Sequence, residues 1–166
     1  MMPRNILQLF LCLLLLCGNI HCRIYAGAET APSVWRAMGP GSQLNICREL
    51  LRTAGWNEIL DNEDSVYSII APTNDAFIKL GEGRLEELNE PTHMEELKTI
   101  FARHIYTGFL GHDELSASGK TRTSLGGKIY PITKIGNRWF IGKAMVVRDA
   151  IIARNGIVYV IDTVLE

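Results

Sequence analysis

The spacing of apolar residues changes after Gly108, and that change limits the fold more than any other feature of the chain. Before it, helical spacing dominates. Leu44, Cys47, Leu50, Leu51 and Ala54 form one stripe of a helix that opens at Ser42 and ends at Gly55. Leu97, Ile100, Phe101, His104 and Ile105 form another, behind Thr92-His93-Met94-Glu95, the spacing of a capping box. Between them, residues 66–71 are a β-branched and aromatic run that reads as a strand stopped by Pro72. Thr73 can cap a helix carrying Phe77 and Leu80, with Asp75 favouring the dipole of its first turn, and Gly81 and Gly83 end it. A short helix around 85–88 follows. After Gly108, residues 121–125, 129–135, 138–141, 144–147, 151–152 and 157–164 read as strands. Gly126-Gly127, Gly136-Asn137, Gly142 and Asn155-Gly156 separate them as turns. Helices first and mostly antiparallel strands later predict an α+β domain.

The N-terminus is set apart from this pattern. Residues 6–17 are apolar except Gln8, Arg4 precedes them, and no acid occurs before Glu29. A positive start and a short greasy run predict a secretory signal peptide. The run falls short of the roughly 20 residues that cross a bilayer. Ala26-Gly27-Ala28 fits a cleavage site, and Cys22 offers an alternative one. The expected mature chain is 29–166, with 29–41 a loose lead-in of at most one helical turn and 42–166 a single domain. Secretion to the extracellular space, or to a bacterial periplasm, follows from the leader. The chain shows no C-terminal apolar tail of the kind a lipid anchor requires, and no Asn-x-Ser/Thr acceptor for glycosylation.

Cys12, Cys17 and Cys22 fall within or beside the leader, so Cys47 is the thiol expected to remain. One thiol closes no internal loop, and stability must come from a packed core. Cys47 lies on the first helical stripe and is expected inside it; a disulfide dimer through Cys47 requires it to be exposed. Without Arg4 and Arg23, 15 basic residues (17 less these two) face 18 acidic ones, a net charge of −3. That balance argues against nucleic acid as a partner. Charge is uneven along the chain: 58–96 holds 11 acids against Lys79 and Arg84, and 97–160 holds 10 basic residues against Asp113, Glu114 and Asp149. Such a dipole reads either as two solvated faces or as steering toward a charged partner.

Catalytic patterns are missing. His93, His104 and His112 lack zinc-ligand spacing, although Asp113 and Glu114 adjoin His112. Glu86-Glu87 and Glu95-Glu96 are sequence neighbours and diverge on a helix, whereas acid–base work needs convergent carboxylates. There is no nucleophile elbow, phosphate loop or dinucleotide fingerprint. The chain reads as a non-enzyme with no cofactor and no metal.

Two segments carry a more specific signal. Ile69-Ile70-Ala71-Pro72-Thr73-Asn74-Asp75-Ala76-Phe77 resembles the first signature of fasciclin domains. Asn155-Gly156-Ile157-Val158-Tyr159-Val160-Ile161-Asp162-Thr163-Val164-Leu165 resembles the second, and Phe101 to Gly108 is similar to the Tyr-His segment between them. The resemblance spans about residues 33–165. It implies a wedge or sandwich of two β-sheets with several packed helices, and the two signature strands side by side in the core. Pro72, Thr73, Asn74, Asp75, Phe77, Asn155, Gly156, Tyr159 and Asp162 would then be structural. Tyr159 stands where the family often has histidine, and a buried tyrosine there needs a partner for its hydroxyl.

The resemblance also implies adhesion, through contact with an extracellular protein or glycan, with self-association as one route to avidity. The family's Tyr-His segment falls here on Arg103 and His104, with arginine in the tyrosine's place. Its acidic step falls on Ala150-Ile151, with the acid displaced to Asp149. A one-residue shift on a strand turns a side chain to the opposite face, which weakens any integrin-type use of that acid. His104 reads either as a packing histidine or as a contact residue. Trp139, beside the Gly136-Asn137 turn, is a candidate exposed contact. Arg103, His104, Trp139, Asp149 and Ile151 are therefore the candidate partner contacts. A second reading is a secreted carrier of an apolar small molecule such as a lipid or pigment, which requires a cleft between helices and sheet.

Overall fold

The computed structural model describes residues 31–111 and 122–165. The leader and its cleavage sites, and His112, Asp113 and Glu114, lie outside the described residues. The account below concerns the compact unit that begins at Pro32.

Two strands form the centre. β1 (Tyr67–Pro72) and β7 (Gly156–Ile161) run parallel and in register from Tyr67–Gly156 to Pro72–Ile161. Their sequences are almost wholly apolar because both of their faces are covered. Ile69, Ala71, Val158 and Val160 point toward the helices, while Ile70, Ile157, Tyr159 and Ile161 point into a second core. Burying each large aliphatic side chain contributes about 1.5–3 kcal/mol. β2 (Ile105–Thr107) pairs antiparallel with β1, and β6 (Ile151–Ala153) pairs antiparallel with β7, giving the order β2-β1-β7-β6.

The helices cover one face: α1 (Val34–Ala37), α2 (Asn45–Thr53), α3 (Trp56–Asp61), α4 (Asn74–Ile78), α5 (Glu82–Asn89) and α6 (Met94–His104). The other face meets a three-stranded antiparallel sheet of β3 (Ile132–Ile135), β4 (Arg138–Ile141) and β5 (Ala144–Met145). Gly136, at φ +60°, turns the chain between β3 and β4. The architecture is α+β with two sheets, as the sequence predicts.

Several local expectations are corrected. The lead-in is not loose: α1 docks in the helical core, with Val34 and Met38 buried. Ser42 does not cap α2. Its hydroxyl accepts from Leu44 N–H, ahead of the first helical residue Asn45, and Leu44 holds the cap position without a side-chain acceptor. Thr92 does not cap α6 either, because Pro91–His93 winds into a 3-10 turn and the Thr92 hydroxyl donates to Glu90. Pro91 fixes its own backbone angle at the start of this turn and so displaces the box. Ile105, placed by periodicity on α6, begins β2 instead. In place of the strand read at 121–125, Thr123 forms only a bridge to Ile129, and the strand read over 129–135 begins at Ile132.

Candidate functional site

The signature residues form joints between elements. Thr73 Oγ1 accepts from Ala76 N–H and caps α4, while the Thr73 amide continues the β1–β7 ladder to Ile161 O. Asn74 Oδ1 accepts from Ile46 N–H at 3.0 Å, supplying from a distance the cap that α2 lacks at Leu44. Asn155 joins three elements. Its Oδ1 accepts from Val34 N–H at 2.7 Å, and its Nδ2 donates to Leu60 O at 3.0 Å and Asn62 O at 2.7 Å. Asp162 Oδ1 accepts from Met145 N–H at 2.8 Å and ties β7 to the small sheet. Phe77 is buried against Phe101, and Asp75 is exposed in the first turn of α4. Tyr159 is buried and donates its hydroxyl hydrogen to Leu110 O at 2.6 Å.

Among the described glycines, Gly156 leaves the least room for a side chain. A Cβ there would stand 1.6 Å from Tyr67 O and 2.9 Å from Val34 Cγ2. Only glycine lets the start of β7 lie this close to β1.

A model of the fasciclin domain family matches residues 42–166. The chain belongs to the fasciclin domain family. Protein sll1483 of Synechocystis is 31% identical over 140 residues, which is 84% of this chain and 76% of that protein. The immunogenic protein MPB70 of Mycobacterium bovis is 34% identical over 99 residues, 60% of this chain and 49% of that one. Transforming growth factor-beta-induced protein ig-h3 of Sus scrofa is 31% identical over 116 residues, 70% of this chain and 16% of that one. The chain thus spans about half of MPB70 and a small part of ig-h3. Among solved structures, the FAS1 domain pair of the insect cell adhesion molecule fasciclin I superposes with a TM-score of 0.71 at 15% identity, covering 81% of this chain and 51% of that one. That likeness shows the fold.

The fasciclin fold disperses the candidate contacts. His104 is fully buried: its Nδ1 donates to Ile100 O at 2.9 Å and its Nε2 accepts from Leu165 N–H at 3.0 Å. This assignment of donor and acceptor follows from the two partners. The contact reading of His104 is therefore corrected, because the ring holds the C-terminal segment to α6 and presents no surface. Burial lowers its pKa to about 4, outweighing the Ile100 hydrogen bond that favours the charged form. Arg103 is half-buried at the end of α6, beside the β2 edge of the larger sheet. Ile151 lies on β6, at the opposite edge, half-buried against the helical core. Asp149 is exposed in the irregular segment before β6. Trp139 is not the exposed contact expected; it is half-buried against the second core, with Lys134 Nζ 5.2 Å from its ring centre.

Cys47 is buried among apolar side chains, which pushes its thiol pKa up and removes the condition for a disulfide dimer. Cys47 and His104 are thus both enclosed by packing.

Two surface features were not read from the sequence. The first is the outer face of the small sheet. Ile132, Trp139, Ile141 and Ala144 face inward, so alternation sends Thr133, Ile135, Arg138, Phe140 and Met145 outward. Ile135 is 66% exposed, Phe140 and Met145 are half-buried outside both cores, and Arg138 Nη1 lies 3.6 Å from Met145 Sδ. The second is a cleft of about 610 Å³ between the end of α4 and the small sheet, with Ala76, Lys79, Leu80, Pro131, Lys143 and Val164 among its walls. Both bring together residues that are distant in sequence or that alternate with other apolar positions.

Proposed function

We propose that this fasciclin domain is a secreted, non-catalytic adhesion or matrix-interaction module that binds an extracellular protein or glycan through its surface. Family membership supports the reading, as does the fold it shares with a protein described as a cell adhesion molecule. Secretion rests on the leader-like N-terminus. No helix among the described residues is long and apolar enough to cross a membrane.

The observation that carries the reading is the outer face of the small sheet. Ile135, Phe140 and Met145 belong to neither core, and Arg138 lies among them. Apolar groups around an exposed arginine fit an acidic protein surface or an acidic glycan. Arg103, Asp149 and Ile151 lie elsewhere on the domain and would belong to separate contacts.

The test is binding of the labelled protein to the cells and matrix of the producing organism across a concentration series. Binding should saturate and weaken as salt rises. Ile135→Ser and Arg138→Glu together should weaken it about tenfold, the effect of roughly 1.4 kcal/mol, with the melting temperature held. Binding that does not saturate, or that ignores both substitutions, refutes the assignment.

A further inference from the structure

The cleft of about 610 Å³ has a chemistry of its own. Its floor and walls are apolar: Ala76 and Leu80 from the α4 side, Pro131 and Ala144 from the small sheet, and Val164 and Leu165 from the segment after β7. Its polar lining includes Lys79 and Lys143, and no acidic side chain lines it among the described residues. Lys79 Nζ donates to the backbone carbonyl of Asp162 at 3.2 Å rather than to its carboxylate. The Asp162 carboxylate is itself engaged, accepting from Met145 N–H and the Thr163 hydroxyl. Among the described residues neither lysine forms an ion pair.

The size falls in the range of about 300–1,000 Å³ that encloses small organic ligands. An apolar trough selects for a hydrocarbon chain or ring system, because water gains little from filling it. Two cations without an acid select for a negative group at one end. A purely apolar ligand would bring no opposite charge to the two ammonium groups, and a small inorganic anion would leave the trough unfilled.

We propose that this cleft binds an anionic amphiphile, such as a long-chain carboxylic acid, with its hydrocarbon part on the Ala76, Leu80, Ala144 and Val164 surface and its acidic head at Lys79 and Lys143. The site is separate from the outer face assigned to adhesion, so either can fail without the other. The three segments that build it, after α4, along β3–β5 and after β7, lie far apart in the chain.

The probe is a fluorescent polyene fatty acid, compared with the corresponding alcohol, each titrated into the purified protein below its aggregation concentration. The acid should bind saturably at one site per chain, and the alcohol about tenfold more weakly, the difference expected of a charge-assisted contact. Lys79→Met with Lys143→Met should bring the acid down to the affinity of the alcohol and leave the alcohol unchanged. Thr163→Trp, at an exposed position on the cleft wall, should weaken both ligands by obstruction. Circular dichroism confirms that each variant folds. No saturable binding of the acid overturns the proposal, as does equal binding by the wild-type protein and the Thr163→Trp variant. Saturable binding in which acid and alcohol are equivalent overturns the assignment of the head group to the lysines.

Discussion

Replacing Asn155 with alanine removes a side chain that fastens α1 and the end of α3 to the start of β7. Three hydrogen bonds go: from Val34 N–H, to Leu60 O and to Asn62 O. Each such bond is worth a net of about 0.5–1.5 kcal/mol, or about 3 kcal/mol together. Val34 is wholly buried, so its stranded N–H adds a desolvation cost of about 1 kcal/mol or more. The expected loss is about 4 kcal/mol, far above the typical effect of a point mutation near 1 kcal/mol. Urea unfolding followed by tryptophan fluorescence measures it, with the dependence on urea checked for a constant slope. Hydrogen exchange should also accelerate across 33–38, because α1 loses its anchor. Asn155→Asp sharpens the test. It keeps the acceptor for Val34 N–H but sets a carboxylate against two carbonyl oxygens, so it should be as damaging as alanine at neutral pH. Acid should restore part of the loss relative to wild type, because a protonated carboxyl can donate to one carbonyl. An alanine variant within 1 kcal/mol of wild type at unchanged slope would refute the reasoning.

Other consequences are open to measurement. Gly156→Ala should cost at least about 3 kcal/mol in thermal or urea unfolding, because its Cβ collides with Tyr67 backbone rather than with a flexible side chain; a near-normal melt would contradict the close approach. His104 has a folded pKa of about 4 against an ordinary value near 6.5. Between those values the unfolded chain takes up a proton that the folded one refuses, so stability falls as pH falls from 6.5 to 4, by about 3 kcal/mol in all. His104→Asn should be less stable at pH 7, and its deficit should shrink on acidification; a deficit independent of pH rules this out. Cys47 should ignore an aromatic disulfide reagent in the native protein and react fully once unfolded, whereas rapid native reaction would mean the helical core is open there.

Sequence alone determined what depends on local pattern. The apolar runs at 66–71 and 157–164 marked two strands, which the structure places at Tyr67–Pro72 and Gly156–Ile161. Thr73 before a helical stripe and glycine at the Gly136 turn follow from backbone chemistry within a few residues. The domain signatures were legible because their residues are consecutive. Tertiary structure decided the rest, because the deciding partners are far away in the chain. Ser42 looked like the cap of α2, yet Asn74 provides the cap from the next motif. Val34 and Met38, in a stretch rich in proline and glycine, enter the core because Asn155 binds the first amide of α1. His104 carried the same local pattern whether it was to pack or to bind, and only Leu165 N–H and full burial settled that it packs. The outer face of the small sheet was hidden because both sides of β3 and β4 carry apolar residues, so alternation had no reference until one side was covered. Lys79 and Lys143 share a cleft only because β7 and the segment after it bring α4 against the small sheet. Local sequence fixes backbone preference, but burial is a property of the assembled layers, and burial decides which side chains remain available for binding.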